Sequence, residues 1–376
     1  MELINATRMV AGYNTGLEPS GRELLVVVIK GTFRFPRPDE PPDYFALHEQ
    51  QLPLVMADTF TGEPGLSAPV FEVDFAPRKP RADILLLGTA HAPQGRPTTR
   101  VEVGMRVGPW SKCLAVLGPR HWRCGAATLR ATSPQPFVTQ SISYDVAYGG
   151  TDLHHEDPAQ HAAYMANPVG CGFHKRLKPA WVDGKPLPCT EEIDHSVTDT
   201  DGDYQPMSFG PVGRSWDPRY KFAGTYDDAW LDMHFPFLPP DFDEQYFQAA
   251  PADQQVPLGF FGERPVEVAL ANLTPSGFTR FSIPQLSAPV RIVPKCGPRE
   301  DLLATLDTVV IEPDLQRFSL TWRVARPLVK NMFEIVQVQV GKRGSGRTQL
   351  TDPDAFPVPV VMVPAVPVLP PVMAGA

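Results

Sequence analysis

Proline is the feature of this sequence that most limits how it can fold. The chain has 44 prolines and 29 glycines among 376 residues, and they are spread along most of its length. Because a proline inside an α-helix removes a backbone hydrogen bond and clashes with the preceding turn, each one there costs about 3 kcal/mol. An all-helical fold is therefore excluded. The spacing of the interruptions, about 8–15 residues, is typical of short strands joined by turns.

Alternation of apolar and polar residues predicts strands with one buried face. A repeat of two is expected for a strand, because its side chains point to opposite faces in turn. This repeat occurs at residues 71–75, 101–107, 318–324 and 336–340. Uninterrupted apolar runs at residues 24–29 and 84–87 predict strands buried on both faces. The predicted fold class is therefore mainly β, with packed antiparallel sheets arranged as a sandwich or barrel.

The strand patterns divide the chain into three zones and a tail. Residues 1–145 and 261–350 are dense in predicted strands, whereas residues 146–260 are irregular and rich in Gly, Pro, Asp, His and aromatics. So long an irregular stretch is expected to be functional or packed over the sheets. We predict a single large β-rich domain over residues 1–350, followed by an extended, apolar, proline-rich tail over 351–376. The tail would lie on the protein's own sheets, add to a partner's sheet edge, or remain mobile.

Two short helices are predicted within the irregular zone. Asp157 followed by Pro158 forms a good N-cap and first-turn pair, and residues 159–166 would continue the helix for two turns. A second helix is predicted over residues 241–250, where Pro251 ends it.

The charge balance argues against nucleic acid and membrane as partners. The chain has 34 Lys plus Arg against 42 Asp plus Glu, a formal net charge of −8, and no basic run that would follow a phosphate backbone. The apolar run at residues 24–29 is too short to cross a bilayer, and residues 1–10 show no secretion signal. Five cysteines without a C-x-x-C pair fit a reducing compartment. The sequence therefore predicts a cytoplasmic protein.

Histidines and cysteines are concentrated in the irregular zone, but their spacing matches no established metal motif. The spacings C-x-x-H at residues 171–174 and C-x5-H at residues 189–195 would suit zinc if both pairs converged. Residues 199–203 begin like a calcium loop, but Tyr204 and Gly210 stand where that loop needs glycine and glutamate. We predict no bound metal, with a zinc-stabilised structural protein as the alternative. The full group is His154, His155, His161, Cys171, His174, Cys189 and His195.

Signatures of catalysis and of cofactor binding are missing from the sequence. It has no nucleophile elbow, phosphate-binding loop or H-E-x-x-H motif, and the glycine pair at residues 170–172 lacks the third glycine of a dinucleotide fingerprint. We therefore predict no catalytic residue and no cofactor. The competing interpretation is a β-sandwich hydrolase or carbohydrate-active enzyme with its site in residues 150–230. Such an enzyme would show a deep pocket of converging titratable groups.

Aromatic and arginine residues interleaved with turn residues are the strongest candidate binding feature. Trp, Tyr and Arg dominate the energetics of protein interfaces. The same residues would also serve to pack an irregular zone onto the sheets, and the residue pattern alone leaves both interpretations open. The run begins with Phe209, Arg214, Trp216, Arg219, Tyr226 and Trp230 and continues through Phe235, Phe237, Phe242, Tyr246 and Phe247.

Several short motifs, taken in order, resemble a family of bacterial proteins, the domain of unknown function 2169. The resemblance covers about residues 5–340, and the ordered set is more specific than any one motif. The loop at residues 154–195 and the tail look particular to this chain. The matching stretches are residues 30–33 (KGTF), 82–90 (ADILLLGTA), 144–150 (YDVAYGG), 167–170 (NPVG), 209–211 (FGP) with Arg214 and Trp216, 223–227 (AGTYD) with Trp230, 237–243 (FLPPDFD), and 306–309 (LDTV) with Trp322 and Arg323.

Members of this family are encoded beside type VI secretion spike genes, so the resemblance implies a secretion adaptor or chaperone in the cytoplasm of Gram-negative bacteria. Such a protein would hold a toxic effector, or a spike-tip protein with a proline-alanine-alanine-arginine (PAAR) domain, and help load it on the valine-glycine repeat (VgrG) spike protein. Release needs no ATP motif if the final assembly binds the effector more tightly. The predicted partner-binding residues are Tyr144, Asp145, Tyr148, Asn167, Phe209, Arg214, Trp216, Arg219, Tyr226 and Trp230.

Overall fold

The computed structural model describes residues 1–125, 128–175, 179–262 and 264–341, and these residues are mainly β, as predicted. The strands are β1 (Glu2–Asn5), β2 (Val10–Leu17), β3 (Glu23–Arg34), β4 (Ala46–Leu47), β5 (Thr59–Phe60), β6 (Pro69–Phe71), β7 (Arg81–Leu86), β8 (Gly88–His91), β9 (Arg100–Val107), β10 (Trp110–Leu117), β11 (Trp122–Cys124), β12 (Leu129–Ala131), β13 (Thr139–Ile142), β14 (Tyr148–Gly149), β15 (Thr151–Asp152), β16 (Ala162–Ala163), β17 (Cys171–Gly172), β18 (Thr190–Glu191), β19 (Gln255–Pro257), β20 (Val266–Ala271), β21 (Phe278–Ile283), β22 (Ala288–Pro294), β23 (Glu300–Glu312), β24 (Arg317–Pro327) and β25 (Ile335–Val340). The short helices are α1 (Pro179–Val182), α2 (Asp217–Tyr220) and α3 (Asp228–Met233), and 3₁₀ turns occur at Pro93–Gly95, Tyr144–Val146, Pro158–Gln160, Glu244–Phe247, Ala252–Gln254, Pro313–Leu315 and Met332–Glu334.

Two large sheets form the body of the protein. In the ten-stranded sheet the order is β1-β25-β22-β23-β24-β3-β2, with β4 beside β3, β7 beside β23, and β19 beside β7. The five-stranded sheet has the order β18-β10-β9-β20-β21. Most neighbours are antiparallel, as predicted. However, β1 runs parallel to β25 and β7 runs parallel to β23, so the larger sheet is mixed.

A single large hydrophobic core lies between the two sheets. Ile29 and Leu320 enter it from the ten-stranded sheet, and Val103, Val268 and Phe281 enter it from the five-stranded sheet. The predicted alternation in β9 is confirmed, because its apolar residues are buried and the polar residues between them are exposed or half-buried. The packing of two sheets on one core confirms the sandwich- or barrel-like arrangement.

The central strands of the larger sheet are covered on both faces. Val26 and Val28 of β3 pack on Phe75, on the face opposite the main core, as the uninterrupted apolar run predicts. The neighbouring β24 shares this cover, and its polar residues Ser319 and Thr321 are buried as well. The prediction that one face of β24 lies in water is therefore wrong.

Buried charges fasten the residues that cover this face, here called the covering segment (residues 54–75), to the sheet. Lys30 Nζ lies 2.9 Å from Asp74 Oδ2, and the Arg323 guanidinium donates to the Asp74 carbonyl oxygen at 2.7 Å. Arg323 also pairs with Asp307, which lies at the β-bulge between β23 and β24. Burial raises the pKa of Asp307. The strand predicted at residues 71–75 ends at Phe71, because Asp74 turns inward to these cations instead of facing water.

The middle segment (residues 144–254) is irregular, as predicted, but it has internal order. Short strand pairs join β14 to β17 and β15 to β16. A second hydrophobic cluster forms largely within this segment, so it is a packed layer rather than a loose loop. The cluster consists of Trp122, Tyr148, Phe173, Val182, Leu187, Val197 and Tyr204.

The helix predicted over residues 159–166 is replaced by a 3₁₀ turn and a strand. Asp157 does cap the turn, accepting a hydrogen bond from Ala159 N at 3.0 Å. The chain then extends and pairs with β15, where Tyr164 N donates to Gly150 O at 2.9 Å. Strand pairing thus satisfies the backbone groups that a helix would have used.

The helix predicted over residues 241–250 is also shorter than expected. A 3₁₀ turn spans Glu244–Phe247, and the Asp243 side chain caps it by accepting from Gln245 N at 2.8 Å. The next residues leave the turn because Ala249 N donates to Asp83 Oδ2 of β7 at 2.9 Å.

Three further predictions concern the cysteines, a membrane-spanning helix and the tail. All five cysteines are free. In the described parts of the chain, no helix combines the length and apolar character needed to span a bilayer. The tail predicted over residues 351–376 lies outside the described residues.

Candidate functional site

Asn167 holds together the glycine-rich turn of residues 144–150, which contains the predicted contacts Tyr144, Asp145 and Tyr148. Its buried amide nitrogen Nδ2 donates to the carbonyl oxygens of Tyr144 at 2.9 Å and Tyr148 at 3.0 Å. Gly149, with φ +145°, passes so close that an added Cβ would lie 2.1 Å from Asn167 O. Because this approach and this φ both require glycine, the motifs at residues 144–150 and 167–170 form one structural unit.

Tyr144 and Asp145 join this turn to neighbouring segments. The Tyr144 ring packs edge-on against Trp216, with the ring centroids 5.2 Å apart. The Asp145 carboxylate accepts hydrogen bonds from Ala68 N at 2.8 Å and Thr61 Oγ1 at 2.7 Å. The connection therefore depends on individual side chains rather than on an extended strand ladder.

Arg214 and Arg219 are paired with two acids of the covering segment. Arg214 Nε lies 2.7 Å from Asp58 Oδ2, and Arg219 Nη1 lies 2.5 Å from Glu72 Oε1. Although burial opposes ionisation of Asp58, hydrogen bonds from Arg214 and from Val73 N hold its pKa below the usual range. These four charged residues line a pocket of about 210 Å³.

Most of the predicted partner contacts are interior residues. A buried side chain presents no surface to a partner. We therefore no longer predict direct partner contact for the six buried residues, whose contacts hold the fold together. Asp145 and Arg214 are half-buried and engaged within the protein. Tyr226 is exposed and Trp230 is partly exposed, so these two stay predicted contacts. The buried residues are Tyr144, Tyr148, Asn167, Phe209, Trp216 and Arg219.

An exposed apolar surface lies in the segment of residues 224–241, here called the surface knuckle. Met233, the last residue of α3, is 71% exposed. The knuckle contains four aspartates and no Lys or Arg. The aromatics of this segment stand out in the sequence, whereas Leu231 and Met233 do not, because the exposure of single aliphatic residues leaves no periodic signal. The exposed apolar residues are Tyr226, Leu231, Met233, Phe235 and Phe237.

Side-chain hydrogen bonds fix the shape of the knuckle. Asp227 caps α3 by accepting from Trp230 N at 2.8 Å, and Trp230 Nε1 donates to Phe237 O at 2.9 Å. At the base, Thr225 Oγ1 donates to Asp241 Oδ2 at 2.7 Å. The apolar surface is therefore arranged before any partner binds, which lowers the ordering cost of binding.

A group of three polar side chains suited to metal binding lies elsewhere in the middle segment. The potential ligand atoms of Asp152, His154 and His174 all lie within 4.8 Å of one another. Asp152 Oδ1 is 3.1 Å from His154 Nδ1, and Asp152 and His174 are buried. Burial lowers the pKa of His174, which favours its neutral imidazole form. Both histidines belong to the group singled out by sequence, whereas Asp152 carries no spacing signal.

Other members of that sequence group are engaged elsewhere. His195 Nδ1 lies 3.1 Å from Glu192 Oε2, and His161 Nε2 lies 2.9 Å from the carbonyl oxygen of His155. Burial raises the pKa of the Cys171 thiol to about 12, so it stays protonated at neutral pH. Across the described ranges, the two cysteine–histidine pairs considered from spacing do not converge on one metal site.

The architecture defines a mainly β protein with an exposed apolar surface on its irregular middle segment. The family follows from the comparison with known proteins. A model of the family described as "Uncharacterized protein conserved in bacteria (DUF2169)" matches residues 20–323, and the chain belongs to this family. The match includes the whole middle segment. No curated protein and no solved structure matches the chain.

Proposed function

We propose that this DUF2169-family protein is a non-catalytic adaptor of type VI secretion. It would bind an effector toxin or a PAAR-domain protein in the cytoplasm and help load it on the VgrG spike protein. The surface knuckle is the observation that supports binding of a partner protein. The secretion context rests on the ordered motifs, which resemble a family encoded beside spike genes.

Apolar side chains on the knuckle give the proposed interface its energy. Leu231, Met233 and Phe235 are each more than half exposed and lie close together in the chain. Contiguous exposed apolar patches on soluble proteins commonly mark interaction sites. A few large apolar residues at the centre of an interface carry most of its binding energy.

The aspartates of the knuckle define the chemistry of the partner. Asp227, Asp228 and Asp232 lie in or next to α3. A complementary partner segment would present apolar side chains flanked by Lys or Arg. Because opposite charges steer the two surfaces together, the association rate should fall as salt concentration rises.

The proposed loading requires no chemical step in this protein. An adaptor releases its cargo when the final assembly binds that cargo more tightly. The hydrolase alternative would need titratable groups that are free to act on a substrate. In the pocket beside Trp216, Asp58 and Glu72 are instead paired with arginines, an arrangement that supports a packing role.

A matched pair of leucine substitutions tests the knuckle as the binding surface. Leu231 in the knuckle and Leu315 in the turn between β23 and β24 are each 56% exposed. Partner capture from the native host with the full chain should recover an effector, a PAAR-domain protein or VgrG. Leu231→Asp should weaken that binding by at least about tenfold, in the range of interface hot spots, whereas Leu315→Asp should leave it unchanged.

Thermal unfolding of both variants provides the control for folding, because surface substitutions usually change stability by about 0.5 kcal/mol or less. Equal loss of binding in the two variants, or none in either, would remove the knuckle from the proposal. If deleting the gene leaves the export and cellular level of every neighbouring toxin unchanged, the adaptor function itself is wrong.

A further inference from the structure

We propose that Asp152, His154 and His174 form a binding site for a divalent transition-metal ion of the Zn²⁺ type. The site would have two imidazole ligands, one carboxylate ligand and a water molecule completing the coordination. It is independent of the knuckle and of the adaptor function.

The distance between Asp152 and His154 fits such an ion, and the ligand atom of His174 lies within 4.8 Å of both. Zinc lies about 2.0–2.2 Å from nitrogen and carboxylate oxygen ligands. Two ligand atoms on one ion are then about 3.0 Å apart in octahedral and about 3.4 Å apart in tetrahedral geometry. Asp152 Oδ1 and His154 Nδ1 are 3.1 Å apart. The ion would take the place of the proton between these two atoms. A ring nitrogen of His174 would be its third protein ligand.

The burial and hydrogen bonding of His174 provide the second observation. The residue as a whole is 9% exposed. Within the part of the chain that the structure describes, no hydrogen bond reaches either of its ring nitrogens, and a ligand atom of this ring lies within 4.8 Å of those of Asp152 and His154. Because these ring nitrogens have no hydrogen-bond partner in the described residues and are not sealed from solvent, they are available to an ion that those two residues would share.

The backbone holds the three ligands in place. His174 N donates to Thr200 O at 2.8 Å, and Lys175 N donates to Asp152 Oδ2 at 3.2 Å. The parallel pair of β14 and β17 lies just before both ligand-bearing stretches. His154 remains about one-third exposed, which leaves a route for the ion and its water.

The kinds of ligand set the choice of ion. Imidazole suits zinc and its neighbours among the transition metals, whereas Mg²⁺ prefers oxygen ligands and water. A bound ion would connect residues 152–154 to residue 174 and so restrain the middle segment. It would stabilise the folded state by mass action, and the melting temperature should rise with zinc concentration.

The test measures zinc binding by the full chain, prepared without a histidine tag and freed of metal with a chelator. Calorimetric titration with Zn²⁺ should show one equivalent bound, and the same concentration of Mg²⁺ should show none. His174→Ala should weaken zinc binding by about 100-fold or more, since loss of a direct ligand should exceed the 10–100-fold cost of losing its supporting partners. His154→Ala, at a more exposed position, provides the same test if His174→Ala does not fold.

His195→Ala is the matched control, because this histidine also lies 3.1 Å from a carboxylate, that of Glu192, but outside the cluster. It should bind zinc like the wild-type chain. Wild-type protein that binds no stoichiometric zinc, or cluster variants that bind zinc as tightly as His195→Ala, would overturn the proposal.

Discussion

The paired sheets and the middle segment both bury large side chains, yet they are held together by different interactions. In the sheets, apolar residues repeat along each strand. Replacing a residue such as Ile29 or Leu320 by an apolar residue of similar volume should cost little stability. In the middle segment, single polar side chains such as Asn167 and Arg219 each bond to particular carbonyl oxygens. The sheets are specified by a repeated pattern, and the middle segment is specified residue by residue.

Polar side chains also join the two regions. Asp83 of β7 accepts hydrogen bonds from Gln248 Nε2 at 2.6 Å and from Ala249 N at 2.9 Å. Gln254 Nε2 donates to the carbonyl oxygens of Ile84 at 2.7 Å and Phe209 at 3.0 Å. Because these buried bonds cross from β7 into the middle segment, we expect the two regions to unfold together.

The largest effect is expected for truncation of a buried tryptophan in either region. Trp322 lies in β24, Trp216 lies in the middle segment, and both are buried. Trp322→Ala and Trp216→Ala should each lower the free energy of unfolding by about 3–5 kcal/mol, the usual cost of removing a large buried aromatic. Denaturant titration followed by far-ultraviolet circular dichroism measures both.

The shape of the transition decides between joint and separate unfolding. A single transition, shifted similarly in the two variants, is expected. An early partial transition in Trp216→Ala alone would show that the middle segment unfolds independently and would contradict the role given to Asp83 and Gln254.

A smaller effect is expected for Asn167→Ala, which tests whether one amide really organises the motif turn. The substitution removes the partner of the Tyr148 carbonyl oxygen and one of the two hydrogen bonds to the Tyr144 carbonyl oxygen, which keeps its bond from Ala147 N at 3.3 Å. The free energy of unfolding should fall by about 2–3 kcal/mol, since an unsatisfied buried group costs about 1–3 kcal/mol and the loss of a further hydrogen bond costs about 1 kcal/mol. Asn331→Ala removes only an exposed cap on the Phe333 amide and should cost about 1 kcal/mol or less. Similar values for the two variants would mean that Asn167 has no special role.

The third prediction concerns thiol reactivity and involves no loss of stability. Burial raises the pKa of Cys171 to about 12, whereas Cys113 on β10 and Cys296 are exposed. Because the thiolate is the reactive form, its fraction at pH 8 should be about a thousandfold lower at Cys171 than for a thiol at its usual pKa of 9.0. Alkylation followed by mass spectrometry should label Cys113 and Cys296 first, and labelling of Cys171 should accelerate as pH rises. Equal labelling rates in the native protein would show that Cys171 is accessible and ordinary.

The sequence pattern was sufficient to predict most of the sheet strands, because side chains alternate between the two faces of a strand. The alternation in β9 and the apolar run in β3 follow from the two faces of a strand. The same reasoning failed for β24, where a distant segment covers the outer face and Arg323 meets Asp74 there. No local pattern carries information about a contact between residues so far apart in the chain.

The candidate sites were less accessible to sequence analysis for the same reason. Residue type alone predicts motif residues such as Trp216 to be partner contacts. A tryptophan that packs in the interior, however, cannot be told from one at an interface by its residue type. Asp152 became a candidate ligand only when the fold brought it to His174. Exposure of Leu231 is likewise a property of the folded surface.

The pairing of β3 with β24 has a consequence for how this protein is made. At ribosomal rates of about 5–20 residues per second, roughly 15–60 s separate the emergence of these two strands. During that time β3, with its uninterrupted apolar run at residues 24–29, has β2 on one side and an open edge on the other. Such an edge is a template for pairing with other chains. A product terminated before Arg317 would keep it permanently, so premature termination should yield aggregates rather than a shorter soluble protein.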